Sequence, residues 1–96
     1  MAVIFEWDGE KARRNLEKHG VSFEEALTVF ADPLARILDD EDHSSAELRE
    51  IIIGLSARAR LLIVSFTERR EDRIRIVSSR KATAAERREH EEGKAR

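Results

Sequence analysis

The chain has 96 residues, enough for one hydrophobic core and too few for two, so residues 1–96 are expected to form one domain. Charged residues make up 40% and hydrophobic residues 41%, and the formal charge of -2 leaves the molecule as a whole with no attraction for nucleic acid. The absence of cysteine excludes disulfides and thiol chemistry, and the absence of a cationic leader or a long apolar run points to a cytoplasmic protein that does not meet a membrane.

Val3 to Trp7 reads as a short strand with Val3, Phe5 and Trp7 on one face. Asp8 offers an N-cap and Glu10 an early negative charge, so a helix is expected to begin here, run through EKARRNLEKH to His19 and close on Gly20. Its apolar stripe is thin: Ala12 and Leu16, joined by Asn15 and His19. Ser22 and Glu25 form a capping-box pair opening a second helix, SFEEALTVFAD, whose Phe23, Ala26, Leu27, Phe30 and Ala31 follow the spacing of a core-facing stripe. Asp32-Pro33 stops it.

Leu34 to Leu38 reads as a strand that runs into the acidic cluster Asp39 to Asp42 and a polar turn at His43, Ser44 and Ser45. Glu47 to Leu55 is a further strand, with Gly54 marking a bend or a close approach. Ser56 to Ala59 is a hairpin loop. Arg60 to Arg69 and Asp72 to Lys81 then form two strands joined by a charged turn. In the first, Leu61, Leu62, Ile63 and Val64 run without a break, as in a strand covered on both faces. In the second, strict alternation would put Ile74, Ile76 and Ser78 on one side and Arg73, Arg75, Val77 and Ser79 on the other. Thr83 and Glu86 cap a terminal helix, AAERREHEE, with only Ala82, Ala84 and Ala85 as an apolar edge. The expected architecture is α+β: an N-terminal strand and two helices packed on a small antiparallel sheet of three to five strands, followed by a C-terminal helix.

Charge is unevenly distributed. Residues 58–81 hold eight basic side chains against three acidic ones, whereas residues 32–50 hold seven acidic against two basic. Seven of the eight are arginines, whose planar donors suit phosphate, and a sheet face with an arginine at every second position is expected to meet water, a protein partner or a polyanion. The plainer reading is that oppositely charged surfaces pair with each other. The three histidines and the acidic cluster match no metal-site spacing, so neither a metal nor another cofactor is expected. A metal-free ribonuclease needs a base for the ribose 2′-hydroxyl, cations for the phosphate and an acid for the leaving oxygen. Arginine suits the second role, and Glu68 or a histidine would have to be the base.

Three stretches, Phe5 to Pro33 (FEWDGEKARRNLEKHGVSFEEALTVFADP), Asp40 to Ser56 (DEDHSSAELREIIIGLS) and Thr67 to Arg87 (TERREDRIRIVSSRKATAAER), resemble the BrnT toxins of BrnT/BrnA type II toxin–antitoxin systems. The resemblance covers almost the whole chain in the same order. It implies a RelE-like ribonuclease fold, RNA cleavage that arrests translation, and neutralisation by a ribbon-helix-helix BrnA antitoxin in a complex of two toxins with two antitoxins. Operator DNA would be reached only through the antitoxin. Carried over residue by residue, it implies Arg49, Glu68, Arg69 and Arg80 as catalytic, with Arg49 and Arg80 on the phosphate and Glu68 as base, and Lys18, Arg60, Arg75 and Lys81 as RNA-binding. Family members often carry tyrosine in the final helix and on the strand before TER, where this chain has His90 and Phe66. The alternative function is a non-catalytic module whose arginine face engages an acidic protein.

Overall fold

The computed structural model describes residues 2–40, 48–70 and 72–94. Five strands, β1 (Ile4–Glu6), β2 (Arg36–Asp39), β3 (Arg49–Leu55), β4 (Leu61–Arg70) and β5 (Arg73–Lys81), form one sheet in the order β1-β5-β4-β3-β2. The helices are α1 (Gly9–His19), α2 (Phe23–Leu27) and α3 (Ala84–Lys94). The α+β fold expected from the sequence is therefore present, with one difference in the sheet. Strands β2 to β5 form an antiparallel meander, but β1 returns beside β5 in parallel, pairing Ile4 with Arg73 and Glu6 with Arg75. Parallel pairing between the two ends of a chain leaves no local pattern in the sequence.

Local chemistry sets the helix boundaries. The Asp8 carboxylate accepts from the Glu10 and Lys11 amides at 2.8 and 3.2 Å, and Gly20 closes α1 in the left-handed conformation at φ 69°. Leu16, expected on the apolar stripe, is exposed, and α1 leans on the sheet through Ala12 and Asn15. The second helix is shorter than its apolar spacing suggests and tightens into a 3-10 turn over Thr28–Ala31. There the Thr28 hydroxyl donates to the Glu25 carbonyl at 2.6 Å and accepts from the Ala57 amide at 2.8 Å, so it serves the hairpin loop as well as its own helix. Strand β2 begins two residues later than expected. Glu41, Asp42, the turn His43 to Ser45 and Glu47 lie outside the described residues.

One face of the sheet carries the core. Ile52, Leu62, Val64, Phe66 and Ile76 pack against Val21, Phe23, Ala26 and Val29, all buried. Phe30, on the core stripe, is only partly buried, yet its ring links Phe5 and Phe66 at centroid distances of 5.1 Å each. Gly54 marks a close approach: a Cβ there would lie 2.8 Å from Ala35 Cβ and 2.9 Å from Asp32 Oδ2.

Candidate active site on the open face of the sheet

The other face is set by the register of β5. Ser65 pairs with Ser78 but Phe66 pairs with Ile76, so Val77 is an extra residue in β5 and the alternation expected from the sequence breaks there. Beyond Val77, Ser79 turns into the core and is 1% exposed, while Ser78 joins the arginine face. Arg80, opposite Ile63, consequently lies on the same side as Arg73 and Arg75 rather than with Ile74 and Ile76.

Strand β1 covers only the first three residues of β5, and the rest of that edge needs another partner. Asn15 provides it. Its amide donates to the Ser79 carbonyl at 2.8 Å and to the Val21 carbonyl at 2.9 Å, and its carbonyl accepts from the Ser79 amide at 3.0 Å. One helical side chain thus satisfies both outward backbone groups of Ser79, as a strand residue would. His19 stands four residues further along α1, on the same helix face as Asn15.

This brings His19 to a recess of about 490 Å³ on the open face, lined by His19, Asp40, Arg49, Ile51, Ile63, Ser65, Ser78, Ser79 and Arg80. Arg49 and Arg80, expected as a pair, meet in it. Arg80 is held from α3: its two terminal nitrogens donate to the Glu86 carboxylate at 2.8 and 2.9 Å. Glu86 also completes the capping box, accepting from the Thr83 amide at 2.8 Å while its own amide donates to the Thr83 hydroxyl at 3.1 Å. The Arg80 guanidinium lowers the Glu86 carboxyl to a pKa of about 2, against the desolvation that raises it.

The remaining predicted residues are spread out. Glu68 pairs with Ile74 and lies on the helix-covered side, near enough to Glu50 to help burial raise the pKa of that carboxyl, so the recess does not contain it. Arg75 shares a row of the open face with Arg49, separated by Thr67, and donates to Glu6 at 3.0 Å. Arg69, at a second irregularity between Glu68 and Arg70, lines a different recess with Glu6, Arg70 and Arg73. Arg60 is engaged by the fold: its Nε donates to Glu25 at 2.9 Å, its terminal nitrogen bonds Glu25 and the Gly20 carbonyl, and the Ser56 hydroxyl donates to the same carboxylate at 2.7 Å. Arg60 holds the Glu25 carboxyl below its ordinary pKa. The Glu25 side chain therefore serves the β3–β4 loop rather than the expected capping box, of which only the Ser22 half, accepting from the Glu25 amide at 3.0 Å, is formed. Lys18 and Lys81 are exposed.

The two positions where tyrosine was expected are also off the recess. Phe66 is in the core, and His90 is buried beneath α3 against Arg36, Leu38 and Ile53. Conversely, Ser65 and Ser78 in the recess carried no functional signal in the sequence, Asp40 stood out only as a member of the acidic cluster, and His19 only as one of three histidines from which a base could come. Among the described residues no three His, Asp or Glu side chains are gathered as metal ligands, and no helix is long and apolar enough to cross a membrane. Two guanidiniums, an imidazole, a carboxylate and two hydroxyls around one open recess can hold a phosphate-like anion and exchange a proton with it.

The family model described as "Ribonuclease toxin, BrnT, of type II toxin-antitoxin system" matches residues 7–86, a span that takes in His19, Arg49, Arg80 and Glu86. The chain belongs to the BrnT toxin family. The fold agrees with that of a solved BrnT: the crystal structure of the Brucella abortus ribonuclease toxin BrnT superposes with a TM-score of 0.63 at 24% identity, covering 86% of this chain and 97% of that one. Comparison with curated proteins finds no match. BrnT toxins are ribonuclease toxins of type II systems, and such a toxin has an antitoxin partner.

Proposed function

We propose that the recess between α1, β3 and β5 is the cleavage site of a metal-independent endoribonuclease that arrests translation. The observation that carries this reading is the convergence of His19, Arg49 and Arg80 on one open recess. Arg49 and Arg80 hold the scissile phosphate and stabilise the charge that builds on it. His19 takes the role that the resemblance implies for Glu68: its neutral imidazole removes the 2′-hydroxyl proton, the 2′-oxygen bonds to phosphorus, and the bond to the 5′-oxygen breaks. That oxygen takes a proton from the imidazolium or from water, leaving a 2′,3′-cyclic phosphate and a 5′-hydroxyl. The partner is a ribbon-helix-helix BrnA antitoxin, two with two toxins, which carries the complex to operator DNA; the compartment is the cytoplasm.

The experiment is cleavage of a single-stranded RNA by the wild type and by Arg49→Ala, Arg80→Ala, His19→Gln and Glu68→Gln. Loss of a phosphate-stabilising donor should cost about 10²–10³-fold, and loss of the base about 10²–10⁴-fold. Glu68→Gln should stay active, a 2′-deoxy substitution at the cut should block the reaction, and EDTA should leave the rate unchanged. A His19→Gln enzyme as fast as the wild type sinks the assignment of the base. The non-catalytic reading draws on one observation, that Arg73, Arg75 and Arg80 are all matched to carboxylates. It predicts normal bacterial growth when this chain is expressed alone.

A further inference from the structure

The arginines at the turn between β4 and β5 are not used by the cleavage site. Arg70 and Arg73 are directly opposed partners of the β4–β5 ladder, and Arg73 is followed on the same face by Arg75. Like charges directly opposite each other weaken a ladder, so this pairing opposes folding. Glu6 compensates part of it, accepting from Arg73 at 3.3 Å and from Arg75 at 3.0 Å. Arg70 is exposed and makes no ion pair among the described residues. With Arg69, Arg73 and Glu6 it lines a polar recess of about 610 Å³. Including Arg75, the cluster has four arginines against two carboxylates, Glu6 and Asp72, among the described residues.

Its position relative to the cleavage site is fixed by the strand. Arg73 and Arg75 are about 6.6 Å apart along β5, the reach of one nucleotide in an extended chain, and Arg73 to Arg80 spans roughly 20 Å. Between them Arg75 is level with Arg49 across Thr67, so the arginines step from the turn through Arg73 and Arg75 to Arg49, which lines the recess with Arg80. We propose that this row is a track for single-stranded RNA, with the Arg69, Arg70 and Arg73 cluster holding backbone phosphates about three nucleotides away from the scissile one. The inference rests on the ribonuclease reading and adds to it a substrate class: an unpaired segment of about four nucleotides, gripped by its backbone without regard to base. Arginine in place of lysine at every point of the track favours phosphate over a protein carboxylate segment, because its fork binds phosphate oxygens two at a time.

The test is fluorescence anisotropy with labelled 2′-O-methyl oligouridylates of two and six nucleotides, which cannot be cut, at two salt concentrations. The wild type should bind the hexamer more tightly and with a steeper salt dependence. Arg70→Glu, at an exposed position and checked for folding by its melting curve, should weaken the hexamer about tenfold and lower the log–log salt slope by about 0.7 for each phosphate that is no longer neutralised. Arg70→Lys should retain most of the length gain. A hexamer bound equally by the wild type and Arg70→Glu overturns the proposal, and equal capture of the hexamer with loss of antitoxin binding assigns the cluster to the protein partner instead. Wild-type binding of the dimer without any gain in length refutes the track and leaves the cleavage site standing, whereas failure to bind either oligomer refutes both.

Discussion

Asn15 links the fold to the candidate site, and its removal has a calculable consequence. The side chain makes three hydrogen bonds at 2.8, 2.9 and 3.0 Å in a buried setting. Each bond contributes about 0.5–1.5 kcal/mol net, and each backbone group left buried without a partner costs about 1–3 kcal/mol. Asn15→Ala strands the Ser79 amide and carbonyl and the Val21 carbonyl, so a loss of about 3–5 kcal/mol is expected, a large share of the roughly 5–15 kcal/mol typical of a domain. At about 4–8 °C per kcal/mol the melting temperature should fall by at least about 12 °C. Asn15→Asp should cost at least as much at pH 7, because a carboxylate still accepts from Ser79 but faces two carbonyls it cannot bond. Those carbonyls raise the pKa of the introduced carboxyl, so the variant should gain stability as the pH falls from 7 toward 5 and the acid form, able to donate, takes over. Urea unfolding of the three proteins at both pH values is the assay. An alanine variant within about 1 kcal/mol of the wild type, or an aspartate variant indifferent to pH, would refute the claim that Asn15 completes the sheet edge.

Arg60→Ala should destabilise by about 2–4 kcal/mol in denaturant unfolding, because it leaves the Glu25 carboxylate, 5% exposed, with only Ser56 and the more distant Arg58 at 3.7 Å. The double variant Arg60→Met with Glu25→Leu should recover part of that loss, since it removes the buried charge together with its partner. The Glu86 carboxyl is lowered to about 2 by Arg80, so the stability from this pair is fully present above the ordinary carboxyl range near 4.5 and is lost as the pH falls toward 2. Unfolding midpoints between pH 6 and pH 2.5 should show that loss in the wild type and a weaker one in Glu86→Gln. Deleting Val77 should leave a folded protein with Arg80 still on the open face, because it removes the one extra residue of β5; deleting Ile76 lets Val77 take its place opposite Phe66, so that variant should also fold and be less stable only by about 0.5–1.5 kcal/mol, the cost of Ile to Val in a core, which the two melting curves check.

Much of this architecture was legible because its determinants are local. Asp8, Gly20, Ser22 and the Thr83–Glu86 pair mark helix ends through side chains that bond the nearest backbone groups, and these contacts form as the sequence implies. The unbroken run Leu61 to Val64 signalled a strand covered on both sides, and all four are buried. Arg49 and Arg80 were expected together on the phosphate, and both side chains line one recess. What escaped depends on pairing across the fold. Arg60 looked available to a polyanion until its partner Glu25, 35 residues away, came beside it. Glu68 shares the charged strand end with Arg69, but alternation sends the two to opposite sides of the sheet. Asn15 looked like a weak member of an apolar stripe; only the shortness of β1 gives its amide a purpose.

The site is assembled from interruptions of regular structure, and the register of β5 explains how. Had β5 alternated without the bulge, Ser78 would have taken the place opposite Val64 that Ser79 occupies at 1% exposed, and Arg80 the place opposite Leu62 that Lys81 occupies, on the side of the sheet away from Arg49. With Val77 as the extra residue, the small Ser79 goes inside, where Asn15 takes both of its backbone groups, and Arg80 emerges beside Glu86. On its outer edge β5 has no neighbouring strand past Arg75, because β1 is short, and this allows the end of α1 to reach the rim of the recess. A longer β1 would satisfy the edge equally well and would leave His19 no place at the site. The short first strand, the bulge at Val77 and Asn15 are therefore one device, and the imidazole and the two guanidiniums share a recess because all three are present.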